Sequence, residues 1–172
     1  MQDTFPSWLF SVKHGATTIW ERWDGWTEER GFQNPAMNSF NHCAYGAVGE
    51  WLYGTVAGLE LDPDLAPNRN AYRRARIQPQ PPRVEDFPGG LPIRFASAVL
   101  DSVHGRYEVS WEISNGRFML TVRVPPNCSA MILLPDGRSH DVVAGRYEFK
   151  VAYGAAADGA IPLLSEITEL AG

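Results

Sequence analysis

The pair Asn115-Gly116 sits between two alternating runs, RYEVSWEI at 106–113 and FMLTVRV at 118–124. Tyr107, Val109, Trp111 and Ile113 share one side of the first run, and Phe118, Leu120, Val122 and Val124 one side of the second. A two-residue period gives a strand one apolar and one polar face. Asn-Gly tolerates the positive φ angles that a two-residue hairpin turn demands. An isolated hairpin is at best marginally stable in water, so this one needs further strands beside it. Residues 93–99 alternate loosely, and residues 130–134 and RYEFKVA at 146–152 read as strands. Pro125-Pro126-Asn127 and Asp136-Gly137 supply turn chemistry between them. Short strands at this spacing predict a mainly β fold, an antiparallel β-sandwich, over residues 71–172.

The chain before residue 60 has a different composition. Five of the six tryptophans (Trp8, Trp20, Trp23, Trp26 and Trp51) lie there, and only Trp111 follows. The stretch GLELDPDLAP at 58–67 carries helix-stop and turn residues, which places a linker over 59–70 and a separate helical piece over 1–58. Within that piece, residues 39–57 predict one amphipathic helix. Phe40, Ala44, Ala47, Val48, Trp51, Leu52 and Thr55 recur at three- and four-residue spacing, with Asn38 or Ser39 as N-cap and Gly58 as stop. Trp51 is thereby expected in the core. The opposite side, with His42, Tyr45, Gly46, Gly49 and Tyr53, has few charges and wants a second packed surface. Such a helix needs neighbours on both sides.

Charge and motif content narrow the function. A net charge of −5 argues against nucleic acid or an anionic membrane as main partner. No apolar run is long enough to span a bilayer. MQDTFPSW has neither the basic start nor the apolar stretch of a secretory signal, so a cytoplasmic location is expected, with Cys43 and Cys128 as free thiols. The cysteines have no metal spacing, His14, His104 and His140 form no ligand constellation, and no Gly-rich phosphate loop or nucleophile–His pair stands out. No metal and no cofactor are assigned.

The densest chemistry is GATTIWERWDGW at 15–26, where Glu21 stands beside Trp20 and near Trp23 and Trp26. Aromatic neighbours desolvate a carboxylate and disfavour its charged form, which suits acid–base work. Flat rings suit the C–H faces of a sugar. The plainer reading makes Glu21 a structural carboxylate and lets Arg22 pair with a nearby acid. Asp24 is the nearest rival to Glu21, and Glu28-Glu29-Arg30 reads as a solvated turn.

GATTIWERWDGW, together with PSW at 6–8 and SFNHCAYGAVGEWLYGTVAGL at 39–59, resembles the closing part of the catalytic domain of bacterial α-L-rhamnosidases, glycoside hydrolase family 78. DSVHGRYEVSWE at 101–112, VPPNCSAMILLPDG at 124–137 and AGRYEF at 144–149 resemble that family's C-terminal β-sandwich. Cys43 stands where an aromatic is usual, and Leu9-Phe10 replaces a more usual Gly-Tyr. The resemblance implies that residues 1–58 are the end of an (α/α)6-barrel, a six-hairpin glycosidase domain. It also implies inverting hydrolysis of terminal α-L-rhamnosides, with Glu21 as general base and His42, Trp20 and Trp23 as contacts to the sugar or its water.

Inverting hydrolysis needs two carboxyl groups roughly 6.5–9.5 Å apart. By the resemblance, the general acid and most of the pocket belong to earlier barrel helices. The chain is thus expected to be a C-terminal fragment of a rhamnosidase and inactive alone. The alternative is a stand-alone β-sandwich module that binds carbohydrate or protein. The apolar N-terminal segment is expected to promote oligomers or to recruit a complementing barrel fragment.

Overall fold

The computed structural model describes residues 5–64, 71–82, 92–154 and 166–170. They form two compact units, Met1–Glu50 and Trp51–Gly172. In the first, helix α1 (Trp8–Lys13) begins at Ser7, whose hydroxyl accepts the Phe10 N–H at 3.2 Å. Strands β1 (Trp26–Thr27) and β2 (Gly31–Phe32) make a two-stranded ribbon, and a single 3-10 turn, Pro35–Met37, is capped by Asn34.

The single helix expected over 39–57 is instead a late and changing one. It opens as a 3-10 helix over Cys43–Ala47, becomes α-helical in α2 (Val48–Trp51), and finishes as a π-helix over Leu52–Ala57. Its start is delayed because the backbone of 39–42 is engaged elsewhere. The Glu21 N–H donates to the Ser39 carbonyl at 2.8 Å, and the His42 N–H donates to the Ile19 carbonyl at 2.8 Å. Gly46, Gly49 and Gly54 in the run each cost about 1 kcal/mol of helix propensity relative to alanine. Trp51, expected in the core, is 48% exposed, and Ala57 is the one buried residue of the π-helical segment. Ala44, Tyr45, Ala47 and Tyr53 are likewise exposed, while Val48, Leu52 and Thr55 are half-buried.

The second unit is a strand assembly. It contains β3 (Leu59–Leu61), β4 (Arg74–Ile77), β5 (Phe95–Ser102), β6 (Gly105–Ser114), β7 (Arg117–Leu133), β8 (Ser139–Ala152) and β9 (Glu166–Leu170). The pairing order is β3-β4-β7-β6-β5, with β8 on β7 and β9 on β8. The hairpin between β6 and β7 turns at Asn115 and Gly116, with φ of 51° and 71°, as the Asn-Gly pair predicts. Mainly antiparallel β structure preceded by short helical segments is the observed fold class.

Three details depart from expectation. Leu59–Leu61, placed in the linker by composition, is a strand, and Leu59 is buried opposite Ile77. β4 pairs with β7 in parallel, where antiparallel pairing is expected throughout. Pro125-Pro126-Asn127 does not end a strand but lies inside β7 as a bulge, with a register shift against β8 between Val124 and Ser129. A bulge is where prolines are tolerated within a sheet, because the ladder is already interrupted. Before it β7 pairs with β6, and after it with β4.

Both halves of β7 contribute to one core: Phe118, Leu120 and Val122 before the bulge, Ala130 and Ile132 after it, with Tyr107, Phe149, Leu59 and Ile77. Fully burying such a side chain stabilises by about 1.5–3 kcal/mol. An exposed pair such as Arg106–Asp101 is screened by solvent and adds little. Apolar burial therefore dominates. Two polar contacts organise the core: the Trp111 Nε1–H donates to the Val56 carbonyl at 2.8 Å, and the Tyr107 hydroxyl donates to the Tyr72 carbonyl at 2.8 Å.

Gly58 ends the π-helix at φ 81°, and a Cβ there would lie 2.1 Å from the Pro79 nitrogen. Gly58→Ala therefore destabilises this unit by about 3 kcal/mol or more, measurable by urea unfolding. Burial, with a smaller contribution from Cys128, pushes the Tyr107 phenol far above the usual tyrosine range. A raised value stabilises fully below the unfolded-state value of about 10 and is lost as pH climbs above it. Stability is expected to fall above that pH, and Tyr107→Phe to flatten the fall while costing about 1 kcal/mol at neutral pH.

Candidate functional site

Glu21 is held by two hydrogen bonds to a single residue. Its N–H donates to the Ser39 carbonyl at 2.8 Å, and its Oε2 accepts the Ser39 N–H at 2.7 Å. The Thr18 hydroxyl donates to the Phe40 carbonyl, and the His42 N–H donates to the Ile19 carbonyl. Residues 18–21 are thereby laced to 39–42. The lacing sets Glu21 and His42 on neighbouring backbone segments. Among the described residues, Glu21 Oε1 accepts nothing. Glu21 is half-buried, with one carboxylate oxygen fixed by the Ser39 N–H.

The turn after Glu21 is fixed independently. The Gly25 N–H donates to the Arg22 carbonyl at 3.1 Å, and the Gly25 carbonyl accepts both the Gln33 N–H at 3.0 Å and the Asn38 amide at 2.8 Å. A Cβ on Gly25 would stand 2.5 Å from Asn38 Oδ1, so any larger residue would have to displace the Asn38 amide. Asn38 is the residue before the one that clasps Glu21.

Arg22 closes a bidentate pair on Asp24, at 2.9 and 3.0 Å. The plainer sequence reading, that Arg22 pairs with a nearby acid, describes Asp24. Both oxygens of this rival carboxylate are occupied, and the Arg22 guanidinium holds it below the ordinary aspartate range.

The aromatic residues divide into groups. Trp23 meets Trp8 edge-on at 6.3 Å, Trp8 meets Tyr45 at 6.0 Å, and Tyr45 tilts against the His42 ring at 5.6 Å. Trp20 packs edge-on against Phe40 at 5.1 Å, and Phe40 in turn against Phe32. The structure thus brings His42 and Trp23 into one aromatic chain and leaves Trp20 in another. Trp26 sits apart against His14. Among the described residues, no group of three or more His, Cys, Asp and Glu side chains converges as a metal site requires, and no helix is long and apolar enough to cross a membrane.

Ser39 is the residue that sequence reasoning misplaced, as a helix N-cap rather than the holder of Glu21. The signal was present in NSFN at 38–41. Asn and Ser hydrogen-bond the nearby backbone and favour turns over helix, and here the Ser39 hydroxyl accepts the Asn41 N–H at 3.2 Å.

The carboxylate held by Ser39 and the mainly β unit that follows it in the chain both have counterparts among known proteins. Residues 1–56 match the bacterial alpha-L-rhamnosidase 6 hairpin glycosidase domain, and residues 64–149 match the bacterial alpha-L-rhamnosidase C-terminal domain. An alpha-L-rhamnosidase of Streptomyces avermitilis is 44% identical over 78% of this chain and 12% of its own length. One of Formosa agariphila is 40% identical over 86% of this chain and 14% of its own. The solved structure of the Streptomyces avermitilis enzyme complexed with L-rhamnose superposes with a TM-score of 0.65 and 39% identity, over 87% of this chain and 15% of that one. The chain belongs to the bacterial alpha-L-rhamnosidase family and corresponds to its C-terminal portion. It spans about one-eighth to one-seventh of the length of these curated relatives.

The Asp24 carboxylate is expected to titrate below an ordinary aspartate by NMR, and to move upward in Arg22→Gln. Because its value is lowered in the folded chain, any stability it lends is present above the ordinary aspartate range and is lost as pH falls through the lowered value. Unchanged titration in Arg22→Gln would show that the pair does not form in solution.

Proposed function

We propose that this chain carries the general base of an inverting α-L-rhamnosidase, and that residues 1–172 alone do not turn substrate over. The observation that carries the reading is the Ser39 clasp, which fixes one oxygen of Glu21 and leaves the other open. In the reaction, a water attacks the anomeric carbon while Glu21 Oε1 takes its proton. The bond to the leaving oxygen breaks as a second carboxylic acid, supplied from outside these 172 residues, donates a proton to that oxygen. His42, Trp20 and Trp23 contact the sugar or the water, with ring faces against its C–H surfaces. The substrate class is terminal α-L-rhamnosides, a reading supported by relatives that are alpha-L-rhamnosidases, one of them solved with L-rhamnose.

The uncovered apolar residues of the helical piece fit the same reading. Phe32, Met37 and Trp23 are exposed, with Phe32 at 74%. They are the surface on which the remainder of a six-hairpin domain would dock, whether in the same chain or in trans. Acid–base assistance from one partner is worth about 10²–10⁴-fold, and without the partner's pocket the orientation of substrate is lost as well.

Two assays of aryl α-L-rhamnoside hydrolysis test this. The 172-residue chain is expected to show no turnover above its Glu21→Gln variant. Grafted in place of the matching portion of the Streptomyces avermitilis enzyme, it is expected to restore hydrolysis, and Glu21→Gln to lower kcat by about 10²–10⁴-fold. A graft that stays active with Glu21→Gln would remove Glu21 from the role of base.

A further inference from the structure

The second unit carries a depression of its own, far along the chain from Glu21. It lies on the face of β5, β6, β7 and β8 that the core does not use, with a volume of about 400 Å³. Strand register builds it from two adjacent rows. Phe95, Glu112 and Met119 stand side by side in one row. Ser97, Ser110, Thr121 and Glu148 form the next. The volume falls within the range of about 300–1,000 Å³ typical of small-molecule sites.

The lining has a definite chemistry. Phe95 is 75% exposed, so an aromatic ring stands at the depression with most of its surface uncovered. Met119 adds an apolar, polarisable neighbour. Every charged group of the lining is an acceptor, the carboxylates of Glu112 and Glu148, accompanied by three hydroxyls. Glu148 is already neutralised by Lys150 at 2.5 Å, while Glu112 forms no ion pair among the described residues. A strongly cationic partner would find only one uncompensated charge. A neutral ligand rich in O–H donors would find two carboxylates to accept them, in charge-assisted bonds about twice as strong as neutral ones. Its apolar C–H face would lie on Phe95.

We propose that this face is a carbohydrate-binding site, for a neutral sugar unit of a glycan, separate from the catalytic carboxylate. Phe95 is the platform and Glu112 the principal acceptor. The site does not depend on Glu21 or on a completed barrel, and it would let the sandwich hold one part of a glycan while hydrolysis proceeds at another.

The test is a titration of the 172-residue chain, followed through its backbone amide NMR shifts. The probes are methyl α-L-rhamnopyranoside, methyl α-D-glucopyranoside and, as the cationic comparator, tetralysine. Saturable shifts are expected with at least one sugar at residues 95–97, 110–112 and 119–121. Phe95→Ala and Glu112→Gln, both at exposed positions, are each expected to weaken binding about tenfold. Saturation by tetralysine and by neither sugar would overturn the proposal in favour of a basic partner. Sugar shifts confined to residues 15–42 and unaltered by Phe95→Ala would also overturn it, while leaving the catalytic reading untouched.

Discussion

Strand β7 is the constraint on which the second unit depends. It pairs with β6 over its first half, with β4 over its second, and with β8 along both. The bulge between Val124 and Ser129 lets one continuous strand serve both halves, so that Phe118 and Ile132 meet in a single core. Gly105 makes room for the bulge, since a Cβ there would lie 2.8 Å from the Pro125 side chain. The core sits on one side of this ladder. The alternation that fills the core also assigns Phe95, Glu112 and Thr121 to the other side. Fold and sugar face are two consequences of one register.

The first unit depends on a smaller device. Backbone and side-chain bonds between 18–21 and 39–42 hold Glu21, while the Gly25–Asn38 approach fixes the turn that follows it. The same bonds displace the helix start to Cys43. Holding the carboxylate and delaying the helix are therefore the same event. The helix that results leaves Tyr45, Trp51 and Tyr53 exposed.

Much of this was legible in the residues. Asn115-Gly116 and the alternation around it set the central hairpin, while Glu21, Trp20, Trp23 and His42 were singled out by a family resemblance and not by any local pattern that fixes their contacts. Other features were hidden for physical reasons. LEL at 59–61 is too short to show a period, and its strand forms because Leu59 is buried against Ile77. The prolines at 125 and 126 read as a turn because sequence does not reveal that the ladder tolerates a bulge there. Ser39 looked like a cap because the competing acceptor, Glu21, lies eighteen residues away. Tertiary context overrode local propensity at each of these positions: burial at Leu59, a bulge at the prolines and a long-range hydrogen bond at Ser39.

Two hydrogen bonds to Ser39 hold Glu21 in place before any substrate arrives. Amide hydrogen exchange at Ser39 and His42 measures this directly. Both amides are expected to be protected in the 172-residue chain. Glu21→Ala is expected to remove the protection at Ser39, whose N–H has lost its acceptor, more than at His42, which donates to Ile19. Exchange of the Ser39 amide at the rate of an unstructured peptide in the unmodified chain would contradict it, for the carboxylate would then be free to wander.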